Sequence, residues 1–158
     1  MSTKTIFRGL IEHLQLNLPV GLADVVVRYD GDAEAAIEEH VADLSGTAGA
    51  SVLVGFTATQ YTGRSLGGAY RDGQLPITIL VVQRRHEVDA ASQQAAMFAA
   101  AEALDDLADA VRDLLASNPR TLSGSGVAAI DVTEIVGLLG GGDWLGRALT
   151  CSAVPLPS

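Results

Sequence analysis

The segment that comes closest to a catalytic motif is 63–67 (GRSLG), which matches the pattern G-x-S-x-G. In hydrolases this pattern places a nucleophilic serine on a sharp turn between a strand and a helix. Here more glycines and Pro76 follow, so no helix is predicted after the serine. A triad would also need an acid and then a histidine downstream, and only His86 follows. The glycines fit a loop better, and a hydrolase using Ser65 is kept as the remote alternative.

The residues that most often bind metals do not have a metal-site spacing. No histidine pair has the spacing of a zinc motif, so all three are predicted to be solvated surface residues: His13, His40 and His86. Five acids along one predicted helix lack the glycine turn and ligand spacing of a calcium loop: Glu102, Asp105, Asp106, Asp109 and Asp113. They are interpreted as a solvated face or as an acidic wall in an assembly. We expect no metal and no cofactor.

Two further groups of residues could make contacts with a partner. The glycines at 140–142 resemble a phosphate loop only in composition, because a strand rather than a helix is predicted after them. Trp144 follows that loop and has two interpretations, an interface anchor or a ring that covers the edge of the core. Arg84 and Arg85 form a basic step at a strand end, which could pair with a neighbour's acids or be plain surface.

Composition narrows the class of protein. The chain has 158 residues, is 48% hydrophobic, and has a formal net charge of −9 from 19 acids and 10 bases. This length suffices for one core, so we predict one domain over residues 1–158. An acidic chain repels phosphate backbones, which argues against sequence-specific nucleic-acid binding. Cys151 is the single cysteine and the apolar runs are too short for a bilayer, so we expect a soluble cytoplasmic protein.

Hydrophobic periodicity predicts the elements around these residues. Three helices are expected, over about 4–16, 33–45 and 89–118. The third is the longest, and its apolar stripe from Met97 and Phe98 to Leu115 is expected to face the core. Strands are predicted over 24–29, 51–61, 75–83, 127–136 and 146–154. This order predicts an α+β fold with a mostly antiparallel sheet of four to five strands, packed against the long helix and the two shorter ones.

The whole arrangement resembles that of the Mu-type tail-completion proteins of contractile-tailed bacteriophages and related tail-like particles, a group similar to the tail terminators. The resemblance is carried by the N-terminal helix and first strand, and by three segments: ASVLVGFTATQY (50–61), LPITILVVQRR (75–85) and EALDDLADAVRDLLAS (102–117). A closing glycine-tipped hairpin completes it. The chain departs from the family pattern in its connector 123–126 and its acidic segment 30–44.

The resemblance implies a subunit that forms a ring with copies of itself, usually a hexamer, on the head-proximal end of the tail tube. Such a ring stops polymerisation of the tube and sheath and offers a docking surface to the head–tail connector. It implies no enzymatic activity, no cofactor and no membrane. Genomic DNA would pass the lumen without specific binding, because an acidic lining repels it. The protein would be a virion structural protein of the tail, assembled in the host cytoplasm.

Contacts in such an assembly are expected in the loops and at strand ends. The loop after the second predicted strand, 62–73, is longer than a hairpin needs, which indicates a task for it. The candidate contacts are Tyr61, Arg64, Tyr70, Arg71, Arg84, Arg85, Asp143 and Trp144. The alternative is another head–tail joining or tail-tube-associated structural protein, which would share the composition but bind the capsid connector.

Overall fold

The computed structural model describes residues 3–30, 33–42, 49–56, 75–84, 93–116, 127–138 and 144–155. Three helices and five strands follow in the order α1 (Thr3–Asn17), β1 (Val25–Arg28), α2 (Ala33–Ala42), β2 (Ala50–Phe56), β3 (Leu75–Arg84), α3 (Gln93–Leu115), β4 (Val127–Leu138) and β5 (Trp144–Pro155). The fold is α+β with one mostly antiparallel sheet, which confirms the predicted class and element order.

The five strands lie in the order β1-β2-β3-β5-β4. Strands β2 and β3 pair antiparallel, as do β4 and β5, which agrees with the predicted hairpins. Strand β5 also pairs with β3 along ten positions, from Leu75 opposite Ala153 to Arg84 opposite Trp144. Only β1 runs parallel to its neighbour β2. The sheet therefore ends in a short strand on one side and a long strand on the other.

Helices α1 and α3 cover one face of the sheet. Their apolar stripes pack on alternate residues of the strands, as side chains two apart in a strand share a face. The buried residues of this first cluster include Ile6, Phe7, Leu10, Leu14, Val52, Val54, Ile77, Ile79, Leu104, Leu107, Val111 and Leu149. This is the larger of the two cores, and it fixes the crossing of the two helices over the sheet.

The opposite face is buried as well, under α2. Ile37 of this helix packs with Leu53, Leu80 and Val82 in a second cluster. Leu53 is thus buried on the face of β2 opposite Val52 and Val54. Both faces of β2 are buried, and even Ser51 is fully inaccessible to solvent. Strands covered on both faces favour continuous apolar runs over alternation.

The long helix α3 departs from its prediction at its N-terminal end. Leu104 and Leu115 are buried as expected, but Met97 and Phe98 are exposed, Phe98 to 63%. Helix α3 contacts β3, β5 and β4. The apolar stripe therefore starts before the part of the helix that lies on the sheet. The predicted ends of this helix, at 89 and 118, lie outside the described residues.

Helix α1 contains a second correction. His13 was predicted as a solvated surface residue, yet it is buried. Its Nε2 lies 3.4 Å from the Leu114 carbonyl oxygen of α3, and its Nδ1 lies 3.3 Å from the Asn17 amide nitrogen. The imidazole thus bridges the two helices of the first cluster. A buried polar ring with partners on both nitrogens needs no ligand to explain it.

Candidate assembly surfaces

Strand β4 is one edge of the sheet. It pairs with β5 on one side only, and its register is regular from Glu134 opposite Thr150 to Leu138 opposite Gly146. Residues 133 to 137 are all exposed, so the strand is accessible on both faces. Ile135 and Val136 are each 42% exposed. An edge strand offers unpaired N–H and C=O groups, so an exposed apolar stretch along it favours pairing with another chain.

The charges on β4 are all negative. Asp131 and Glu134 are its only ionisable residues, and both are exposed. Neither has an ion-pair partner among the residues described. The bulge between Val132 and Glu134 shifts the register between them. The β4 edge therefore presents two carboxylates without ion-pair partners in the described chain, together with an apolar segment whose register with β5 is regular.

Strand β1, at the other end of the sheet, is short and is covered by α1. The Gln15 Nε2 donates to the Val26 carbonyl oxygen at 2.9 Å. The Arg28 guanidinium lies 4.5 Å from the centre of the Phe7 ring, a cation–π contact, and its Nε lies 3.6 Å from a carboxylate oxygen of Asp30. These contacts hold α1 along this side of the sheet.

A groove runs along α1 and the end of β1. Its volume is about 630 Å³, and its lining residues are Lys4, Phe7, Arg8, Ile11, Glu12, Gln15, Leu16 and Arg28. Leu16 is 76% exposed. Three of the lining residues are basic and one is acidic, in a chain whose formal net charge is −9. The groove is thus a basic, partly apolar patch on an acidic protein.

Two of the predicted contact residues fall within the described chain. Arg84 ends β3 and is exposed, and its N–H donates to the Gly49 carbonyl oxygen at 2.7 Å. Trp144 is only 6% exposed and packs in the second cluster. The ring therefore covers the edge of the core, which was one of its two interpretations. The other candidates lie outside the described residues: Tyr61, Arg64, Tyr70, Arg71, Arg85 and Asp143.

The acidic face of α3 is exposed, as both of its interpretations require. All five acids of the run are solvent-accessible. Asp109 pairs with Arg112 at 3.0 Å and Asp105 with Arg147 of β5 at 3.5 Å. No group of three potential ligands that could hold a metal ion occurs in the described ranges. The other three acids have no ion-pair partner in the described part of the chain and make this face negative.

The reactive side chains near the cores are held in their neutral forms. Burial raises the pKa of the Cys151 thiol to about 12, so it stays protonated at physiological pH. Burial also raises the pKa of Tyr29, although its hydrogen bond with Thr78 opposes the shift. A nucleophile needs the opposite change, a lowered pKa beside a base. Ser65, the residue of the hydrolase alternative, lies outside the described residues.

The sequence-based candidates did not include the residues that define either surface. Lys4 and Arg8 lie about one turn apart on α1, and Arg28 joins them only because α1 lies along β1. The β4 residues carried a clearer signal, since IVGL at 135–138 continues the strand after its alternation ends. That this strand is an edge, where exposed apolar residues favour pairing with another chain, is known only from the strand order.

Comparison with known proteins adds no relative. A scan against protein-family models finds no match, and a search of curated protein sequences finds none. Within the described ranges no helix is long and apolar enough to cross a membrane.

Proposed function

We propose that this protein is a structural subunit of the tail-terminator type. Copies of the chain form a ring on the head-proximal end of a tail tube, stop polymerisation of the tube and sheath, and present a docking surface to the head–tail connector. In this proposal the chain has no catalytic task and uses no cofactor. The particle is a contractile-tailed phage or a related tail-like machine.

The observation that carries the proposal is the exposed edge of β4. A strand of 12 residues with exposed apolar side chains on both faces is a liability in a monomer and a contact in an assembly. The α+β fold with its long helix also agrees with the arrangement on which the resemblance rests. Together they support a protein whose work is done by contacts with other chains.

The net charge supports the passage of DNA through such a ring. Acids on α3 and β4 exceed the bases that pair with them in the described chain. A lumen lined by such groups repels the phosphate backbone and leaves DNA free to slide.

The test is the length of tails assembled with and without the protein. Deleting its gene from a particle-producing cell should give overlong tails in electron micrographs, and restoring it should give tails of one length. Tails of normal length that lack heads would replace the proposal with a head–tail joining role. If particles made without the protein are unchanged and remain infectious or active, both the tail-terminator role and the head–tail joining role are contradicted.

A further inference from the structure

The basic groove and the β4 edge lie at opposite ends of the sheet. Strand β1, beside the groove, is first in the strand order and β4 is last. A contact between these two surfaces on different copies would be heterologous, because each copy contributes a different patch. Contacts of that kind leave one free groove and one free edge on every pair of copies. They therefore propagate, and they close into a ring when the rotation permits.

The charges of the two surfaces are complementary. The described chain contains six Lys and Arg residues, and three of them line the groove. Lys4 and Arg8 are exposed and have no ion-pair partner among the described residues. The β4 edge has no base and two exposed acids, Asp131 and Glu134. Opposite patches of this kind steer association and fix its register.

The apolar parts of the two surfaces are also matched. Ile135 and Val136 follow the two acids along β4, and Ile11 and Leu16 follow the two bases along α1. Charged residues come first and apolar residues second on both elements. The helix rises about 18 Å from Lys4 to Leu16, and the strand rises about 17 Å from Asp131 to Val136. The two surfaces are therefore similar in length, with the charged residues at one end and the apolar residues at the other.

We propose that the β4 edge of one copy docks into the α1/β1 groove of a second copy of this chain. Asp131 and Glu134 pair there with Lys4 and Arg8, while Ile135 and Val136 cover Leu16 and its apolar surroundings. The inference rests on the proposed function in that a ring is the form in which repeated heterologous contacts close. The observations that support the contact are the groove and the β4 edge themselves.

Pairing of β4 with β4 of another copy is disfavoured by the same charges. An isologous pair of these strands would bring four acids and no bases to one seam. Like charges opposite each other in a sheet are destabilising. The groove offers the opposite sign, so the observations favour the groove over a second β4 strand as the docking partner.

The test is site-specific cross-linking between copies of the full chain. Leu16→Cys and Ile135→Cys are made separately, and a short bismaleimide is added to each variant and to an equal mixture. The mixture should give a dimer at twice the chain mass of 16.3 kDa, and neither variant alone should give one. A chain carrying both substitutions should give a ladder of oligomers. The buried Cys151 should stay unmodified.

Met97→Cys is the matched control, because Met97 is exposed but lies on neither surface. Mixed with Leu16→Cys, it should give no dimer. Cross-linking of Ile135→Cys with itself would overturn the inference in favour of β4 pairing. Absence of the dimer in the mixture, both in concentrated solution and on isolated tail tubes, would overturn it outright.

Charge reversal gives an independent readout. Lys4→Glu with Arg8→Glu should lower the yield of the cross-linked mixture at least about tenfold, as should Asp131→Lys with Glu134→Lys. When one partner carries the reversed bases and the other carries the reversed acids, the ion pairs can form again with opposite polarity, and the cross-linked yield should recover. If reversal on either side leaves the yield unchanged, the ion pairs do not form.

These outcomes separate the inference from the proposed function. If the chain cross-links as expected but does not change tail length, the contact is supported and the tail-terminator role is contradicted. If the chain controls tail length without this cross-link, the role is supported and the contact is contradicted.

Discussion

The two edges of the sheet differ in length, cover and charge. Strand β1 has 4 residues, lies beside α1 and borders a basic groove. Strand β4 has 12 residues, is exposed on both faces from 133 to 137 and carries only acids. One edge is thus protected by a helix, whereas the other presents backbone and apolar side chains to solvent.

Because the two edges differ in this way, we expect the β1 side to contribute to folding stability and the β4 edge to contribute to association between chains. Residues beside β1 belong to the cores, so substitutions there should weaken folding. The exposed residues of β4 contribute little buried area, so substitutions there should leave folding unchanged and weaken contacts between chains. Matched substitutions at buried and at exposed positions test this division.

The largest expected effect is at Phe7, the ring beneath Arg28. Phe7→Ala should lower the free energy of unfolding by about 3–5 kcal/mol, because the ring is fully buried and its removal leaves a cavity. Phe98→Ala, at an exposed ring of α3, should change it by no more than about 0.5 kcal/mol. Urea unfolding followed by circular dichroism measures both. If both substitutions lowered the free energy of unfolding equally, the packing of α1 beside β1 would contribute no more to stability than the exposed end of α3.

A smaller difference is expected between two strand glycines. A Cβ at Gly55 of β2 would lie 2.6 Å from Cε1 of Tyr29, the residue after β1. Gly55→Ala should therefore destabilise the fold by about 1–3 kcal/mol. At Gly137 of β4 the nearest atom would be Nη1 of Arg147 at 3.9 Å, an ordinary contact. Gly137→Ala should be neutral or stabilise by up to about 1 kcal/mol, and thermal unfolding of the two variants decides between these outcomes.

The smallest effect at neutral pH concerns Cys151, which lies opposite Val132 of β4. Burial raises its pKa from the ordinary value of 9.0 to about 12. The folded chain then keeps a proton that the unfolded chain loses, so this thiol leaves stability unchanged below about pH 9 and lowers it above.

Labelling with a thiol reagent at pH 8 measures the same property. The folded chain should react at least about a thousandfold more slowly than the urea-unfolded chain, since each pKa unit lowers the thiolate fraction tenfold. Rapid labelling of the folded chain would mean that β4 detaches from β5, and that the exposed edge is not a stable surface.

Much of the fold was predictable because its signals are local. Among the described residues, the periodicities of 3.6 and 2 identified each of the three helices and five strands within a few residues. The sequence also indicated two antiparallel hairpins. It did not indicate that β5 inserts between β3 and β4, or that β1 runs parallel to β2, because strand order depends on contacts between distant segments.

The errors have a common physical cause. Periodicity shows which side of a helix is apolar but not where the sheet beneath it ends, so Met97 and Phe98 were assigned to the core. Polarity alone placed His13 in solvent, although Leu114 and Asn17 provide partners for its ring. The groove combines α1 with Arg28, and no sequence window contains both. The loop candidates from Tyr61 to Arg71 stay predictions.

The most direct test of the account is to mix the purified chain with isolated tail tubes and examine the tubes by negative-stain microscopy. The chain should bind as a ring at one end only, and Glu134→Lys with Asp131→Lys should abolish the ring while the variant remains folded. A chain that remains monomeric at high concentration, and that also leaves both ends of every tube bare, would contradict the account.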